Sequence, residues 1–317
     1  MIIKKAIKDT LIYGISLFLT KRVRQALCHE PYFKLWEKKG IHITPIHHYQ
    51  PIPDTRTLND SIFLKRSDLI GIEMNEQEQM KILTQFSSQY KNEYEDFPRR
   101  KTSNSYQFYV NNGTFDSVDC EILYCMIRHF KPKTIVEIGS GNSTYLSAQS
   151  ALANKEETGI DTTLIAIEPF PNSTLKSGFP GLSKLIQRKA EEVDPSLFGE
   201  LRENDILFID SSHVLKIGGD VQKIYLEILP KIRKGVLIHI HDIFLPAEYR
   251  KEVVLGRYWF WTEQYLLQAF LLFNDTFKVL WGSSFIHLNH PEKLEAAFSS
   301  YNRDERWPAS FWIRKIK

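Results

Sequence analysis

The sequence predicts an α/β protein built on a parallel, doubly wound sheet, with a mainly helical region ahead of it. Three observations carry that expectation. After residue 130, seven short apolar runs alternate with helical segments, the order that gives a parallel sheet with right-handed crossovers. Most of the runs are continuously apolar, the pattern of strands covered on both faces. The first run ends in a Gly-x-Gly turn that opens a helix, Gly139-Ser140-Gly141, and this brings the backbone close to a ligand without Cβ interference. An N-terminal cap region, 1–115, and a sheet domain, 116–317, follow from this change of character.

Taken in order, the first element is a helix over 4–27. Its apolar run Leu11–Leu19 lies between Lys4, Lys5 and Lys8 on one side and Lys21, Arg22 and Arg24 on the other. The run is shorter than the roughly 20 apolar residues a membrane-spanning helix needs, and no small-x-small cleavage site follows it. Two readings stay open: a basic amphipathic helix lying on the inner membrane face, or a helix packed on its own domain or in a homodimer. Extended chain follows around Pro45, Pro51 and Pro53. A helix over 74–95 is marked by Met80, Leu83 and Phe86 at helical spacing. After an aromatic loop (Tyr106, Phe108, Tyr109), a helix over 116–130 starts from Asp116 or Ser117 and buries Ile122, Leu123, Met126 and Ile127. The seven runs are then Thr134–Ile138, Thr163–Ile167, Lys184–Gln187, Asp205–Ile209, Gly235–Ile240, Phe277–Trp281 and Ser310–Ile313. Helices are expected at Ser143–Ala153, Gly219–Leu229 and Phe260–Phe273.

Composition narrows the function classes. With 43% hydrophobic and 25% charged residues the chain reads as globular. A net charge of +3 from 41 basic and 38 acidic residues, without basic blocks, argues against a nucleic-acid surface. The three cysteines, Cys28, Cys120 and Cys125, form neither a disulfide framework nor a CxxC pair. They suit a reducing cytosol.

In open α/β sheets the ligand lies beyond the carboxyl ends of the strands, so each end is read for chemistry. The first ends in Glu137-Ile138-Gly139-Ser140-Gly141-Asn142-Ser143-Thr144. A dinucleotide fingerprint would carry its third glycine where Thr144 stands. Glu137, two residues before the glycines, suits a cationic ligand group better than a pyrophosphate. The second strand ends in Glu168, placed to accept hydrogen bonds from ribose hydroxyls. The turn after the third carries Ala190 and Glu191, which would border an adenine. The fourth ends in Asp210-Ser211-Ser212-His213 and the fifth in His239-Ile240-His241-Asp242. The carboxylates and imidazoles at these two tips suit a divalent cation such as Mg²⁺ or a general base. His239 and His241 share a strand face, His239 buried within the strand and His241 near its open end.

On these residues the chain resembles the class I, S-adenosylmethionine-dependent methyltransferases. Glu137-Ile138-Gly139-Ser140-Gly141, Glu168, Asp210 and Asp242 carry the likeness. The stretches IDSSHV, HIHDIFLPAEY and WTEQYLLQAFL look like a bacterial group acting on small molecules, a likeness covering about 105–317, with HYQPIPD (48–54) beside it. It implies a Rossmann-like seven-stranded sheet with the last strand antiparallel, entered through a hairpin after the sixth. It implies S-adenosylmethionine on Glu137, Gly139, Ser140, Gly141, Ser143, Thr144, Glu168, Glu191 and Asp210, with Ser143 where the family's fullest motif has a third glycine. In some metal-dependent O-methyltransferases of this fold the metal ligands follow the fourth and fifth strands, matching Asp210, His241 and Asp242 here.

The expected chemistry is O-methylation of a hydroxyl on a small-molecule acceptor, a sugar or a natural-product-like ring. His213 or His241 would act as base and Asp242 would orient the imidazole or hold a cation. The aromatic stretch Pro246–Trp261 is either an acceptor pocket or a staple onto the next helix. Two other classes are weighed: a metal-dependent oxidoreductase or hydroxylase on the same fold, and a non-catalytic scaffold. Carboxylates at four strand tips argue against the scaffold.

Overall fold

The structure is a computed structural model that describes residues 10, 12–16, 23 and 26–317. The basic residues flanking Leu11–Leu19, and much of that run, lie outside the described residues, as does the expectation built on them. Among the described residues no helix is long and apolar enough to cross a membrane. The chain divides into two compact units, Met1–Asn59 and Asp60–Lys317. In the first, a short helix spans Tyr32–Glu37. Asp54 closes a turn by accepting from Arg56 N at 3.1 Å and pairing with its guanidinium at 2.7 Å. None of the described side chains before Asp60 is buried.

The second unit takes in residues 60–115 as well as the sheet. Its helix α1 (Glu76–Glu95) buries Leu83, Phe86 and Tyr94, one stripe of an otherwise polar surface. Helix α2 (Asp119–Phe130) is buried nearly all round. Its first residue, Asp119, accepts from Ala309 N and Ser310 N at 2.8 and 2.9 Å, tying the helix to the chain that leads into the last strand. The sheet comprises β1 (Thr134–Ile138), β2 (Thr163–Ile167), β3 (Lys184–Ile186), β4 (Ile206–Ile209), β5 (Leu237–Ile240), β6 (Phe277–Gly282) and β7 (Phe311–Lys315), in the order β3-β2-β1-β4-β5-β7-β6. Helix α3 (Asn142–Thr158) links β1 to β2, and α4 (Glu263–Leu271) precedes β6. β7 runs antiparallel to both of its neighbours, β5 and β6.

Alternate residues of each strand feed two cores. Ile135 packs with Leu123 and Met126 of α2 and Leu146 of α3 on one face, Val136 and Ile138 with Ile224 and Leu267 on the other. This explains the unbroken apolar runs, since both faces are covered. Two expectations are corrected. No tight hairpin joins β6 to β7; two helices, Ser283–Asn289 and Pro291–Ala297, intervene, and the strands still pair antiparallel. The helix expected at Gly219–Leu229 is broken into Asp220–Lys223, a π-helical turn at Ile224–Ile228 and a short 3₁₀ turn closed around Pro230. Pro230 lacks an amide hydrogen and cannot extend a helix.

Candidate active site at the carboxyl edge of the sheet

The parallel ladder carries four strand ends to one edge. Gly139 N donates to Ile167 O, Asp210 N to Ile138 O and His241 N to Ile209 O, all at 2.8–3.0 Å. Gly139 has φ +78°, and a Cβ there would lie 1.8 Å from Asp210 O, so the turn fits only a bare backbone. Gly141 is extended and has nothing within 4 Å of a notional Cβ. This leaves an open cradle in front of α3.

Glu137 points away from water into the first turn of α3. Its Oε1 accepts from Ser143 Oγ at 2.5 Å and Thr144 Oγ1 at 3.0 Å, and Thr144 Oγ1 in turn accepts from Gly141 N at 2.9 Å. A glycine at either position would remove one of these hydroxyls. Glu137 Oε2 and Ser140 Oγ are buried without a partner. Burial pushes the Glu137 carboxyl up to about 8, against the lowering effect of the two hydroxyls. The folded chain therefore holds a proton that the unfolded chain has released above its usual 4.5, and stability falls as pH rises from there to about 8. Glu137→Gln, which mimics the protonated form, is expected to unfold at a higher temperature than the parent at pH 8.5 and at nearly the same temperature at pH 4.5. Equal shifts at both values in a thermal melt would contradict this.

Glu168 bridges two turns, accepting from Ser140 N at 3.2 Å and Phe170 N at 2.7 Å. Glu191 lies further along the edge, where its carbonyl and that of Val193 accept from Lys223 Nζ. No sequence pattern marks Asn112. Its side-chain oxygen accepts from Asn142 Nδ2 at 3.1 Å and shapes the 112–115 turn beside α3.

At the β4 and β5 tips the structure gathers Asp210, His213 and Asp242, each offering a donor atom within 4.8 Å of the others. His213 Nε2 lies 3.2 Å from Asp210 Oδ1 and 3.6 Å from Asp242 Oδ2. Its Nδ1 meets Glu263 Oε2 at 2.9 Å. Glu263, fully buried at the start of α4, escaped the sequence reading because a carboxylate in a helix's first turn reads as a start signal. Burial disfavours the imidazolium, yet the bonds to Asp210 and Glu263 and the charges of Glu263 and Asp242 outweigh it and hold His213 well above its ordinary range.

His241 is not in this group. Its Nε2 sits 3.9 Å from the other Asp242 oxygen, and its ring lies against Phe115 and alongside His239. The period-2 alternation of the strand puts both histidines on one face, whereas Asp242, at φ +55°, has left the strand. The three residues expected to share a metal, Asp210, His241 and Asp242, are thus drawn together only in part, and His213 takes the third place. His239 is structural: it bonds Ser310 Oγ at 2.9 Å, stacks on Phe208 and is held neutral by burial.

The aromatic stretch divides. Tyr249 is buried and its hydroxyl accepts from Gln264 N at 2.8 Å, a staple on α4. Trp259, Phe260 and Trp261 line an open cleft of about 390 Å³ with His213, Val214 and Asp242. A second, polar cleft of about 160 Å³ is lined by His241, Arg250 and Arg306, and Asp242 lines both clefts.

A methyltransferase-domain family matches residues 136–243, from β1 to just beyond β5. A protein of Archaeoglobus fulgidus described only as uncharacterized is 34% identical over 170 residues, 51% of this chain and 75% of that protein. Among solved structures, CmcI is 15% identical, over 71% of this chain and 84% of that one, at a TM-score of 0.35. CalS11, a TDP-rhamnose 3'-O-methyltransferase of calicheamicin biosynthesis, is 13% identical, over 81% and 99%, at a TM-score of 0.39. The chain belongs to the class I, S-adenosylmethionine-dependent methyltransferases.

Proposed function

We propose that the enzyme methylates a hydroxyl oxygen of a small-molecule acceptor held in the aromatic cleft, with His213 as the base. The observation that carries this reading is the His213 imidazole, anchored on one nitrogen by a buried carboxylate, facing Asp210 and Asp242 with the other, and lining that cleft. The bare Gly139 turn and the unpartnered Glu137 Oε2 and Ser140 Oγ fit the methionine end of the donor, and Glu168 fits its ribose. S-adenosylmethionine, when bound, supplies a sulfonium methyl open to in-line displacement. The chain's part is to align the acceptor, which contributes on the order of 7–11 kcal/mol in well-oriented reactions, and to take its proton. In its neutral form, populated above its raised pKa, His213 accepts that proton at Nε2, and Asp210, Asp242 and Glu263 stabilise the imidazolium that results.

A second reading is favoured by the donor set itself. One imidazole nitrogen and two carboxylates within 4.8 Å suit a divalent cation. Asp210, His213 and Asp242 would hold it, and it would lower the pKa of the acceptor hydroxyl.

Calorimetry with S-adenosylmethionine, with Mg²⁺ or with a chelator, is the direct test. Micromolar binding lost in Glu168→Ala supports the donor site. No binding under any condition would overturn the methyl-transfer reading for this edge of the sheet, and binding that depends on Mg²⁺ favours the second reading of His213. Turnover releasing S-adenosylhomocysteine separates a methyltransferase from an oxidoreductase or hydroxylase on the same fold. Trp261→Ala is expected to raise the acceptor KM by roughly tenfold, the loss of one stacking wall, and to leave donor affinity unchanged. Equal effects on donor and acceptor would remove the cleft from the acceptor's path.

A further inference from the structure

Three consecutive residues at the start of α4 hold the loops that follow β4 and β5. Thr262 Oγ1 accepts from Leu215 N at 2.8 Å. Gln264 Oε1 accepts from Phe244 N at 2.6 Å, and its Nε2 donates to Ala247 O at 2.9 Å. Between them Glu263 Oε2 accepts from Ser211 Oγ at 3.0 Å and meets His213 Nδ1 at 2.9 Å. The backbone is clamped as well, since Thr262 N and Glu263 N both donate to His213 O, at 2.8 and 3.0 Å. His213 has φ +58°, a conformation that a non-glycine residue keeps only when its surroundings impose it.

Two sets of acceptors compete for the ring's single proton when the imidazole is neutral. On the Nε2 side are two carboxylates, 3.2 and 3.6 Å away, on residues whose side chains are 34% and 26% exposed. On the Nδ1 side is one carboxylate at 2.9 Å with 0% exposure. Water can serve Asp210 and Asp242 but cannot reach Glu263, whose other oxygen is buried without a partner. Depriving Glu263 of the ring proton therefore costs more than depriving the partly exposed pair.

We propose that Glu263 is a positioning residue that fixes His213 in the Nδ1–H tautomer and so presents the Nε2 lone pair to the space between Asp210 and Asp242. The inference rests on the reading of His213 as the group at the transfer centre, and it applies whether Nε2 meets an acceptor proton or a divalent cation. Without Glu263 the neutral ring would place its proton on Nε2, toward Asp210 and Asp242, and the same atom would be a donor with no basic lone pair.

Long-range ¹H–¹⁵N NMR of the full chain, labelled on histidine and recorded free of divalent cations at alkaline pH, reads the tautomer directly. The His213 signals are identified by their loss in His213→Ala. The parent is expected to show Nδ1 protonated and Nε2 bare, Glu263→Asp to keep that state, and Glu263→Leu to move the proton to Nε2. A proton on Nε2 in the parent overturns the proposal with no variant needed, and an unchanged tautomer in a folded Glu263→Leu overturns it too. If His213→Ala turned over at the parental rate, the base reading would fall while the tautomer result stood, so the two failures are distinct.

Discussion

Gly139→Ala is expected to abolish S-adenosylmethionine binding and to cost about 3 kcal/mol or more of folding stability. Two effects add. The residue sits at φ +78°, where a non-glycine backbone costs about 1–3 kcal/mol. The new methyl would also lie 1.8 Å from Asp210 O, and overpacking of this kind costs another 1–3 kcal/mol. The carbonyl cannot simply retreat, because Asp210 N is bonded to Ile138 O at 2.8 Å and Asp210 itself faces His213. Any shift that admits the methyl moves both the glycine turn and His213. Gly141→Ala is the control. Its backbone is extended and its surroundings are empty, so stability should change by less than about 1 kcal/mol while donor affinity drops because the cradle is filled. Denaturant unfolding and donor calorimetry on both variants check the contrast, and equal stability losses would contradict it.

His213→Ala should lower turnover by roughly 10²–10⁴-fold, the usual contribution of a general base. It should also destabilise the chain at neutral pH by about 3–5 kcal/mol, because Glu263 is left buried without the imidazolium opposite it. The sign of the pH dependence follows from the raised pKa of His213. The folded chain binds a proton that the unfolded chain releases near 6.5, so the stabilisation is complete below that value and is lost as pH rises through the higher, folded value. The stability gap between parent and variant is therefore widest at acidic to neutral pH and narrows in alkali. Denaturant unfolding at pH 6 and pH 10 tests it. A gap that widened with pH would show that His213 is neutral in the fold.

Much of the architecture was legible because it rests on local patterns. β1 and β2 begin and end where their apolar runs do, since both faces are covered and the flanking residues are polar or turn-forming. That the glycine turn, Glu137, Glu168, Asp210 and Asp242 lie along one edge was legible because a parallel sheet delivers every strand's carboxyl end there. The π-helical turn at Ile224–Ile228 and the helices between β6 and β7 were not, because periodicity does not distinguish a widened turn from a regular helix, and a connection has no period of its own.

The choice among histidines lay beyond the sequence. His213 and His241 each follow a strand and each lie within three positions of an aspartate, so both have a claim. By itself the sequence determined the sheet, its ligand-bearing edge and the residue types placed there, because strand and turn formation depend on neighbours along the chain. Only the tertiary structure decided which imidazole turns toward the carboxylates. That depends on Glu263, fifty positions from His213, and on Phe115 lying against His241. These are contacts made by packing, and no local pattern encodes them.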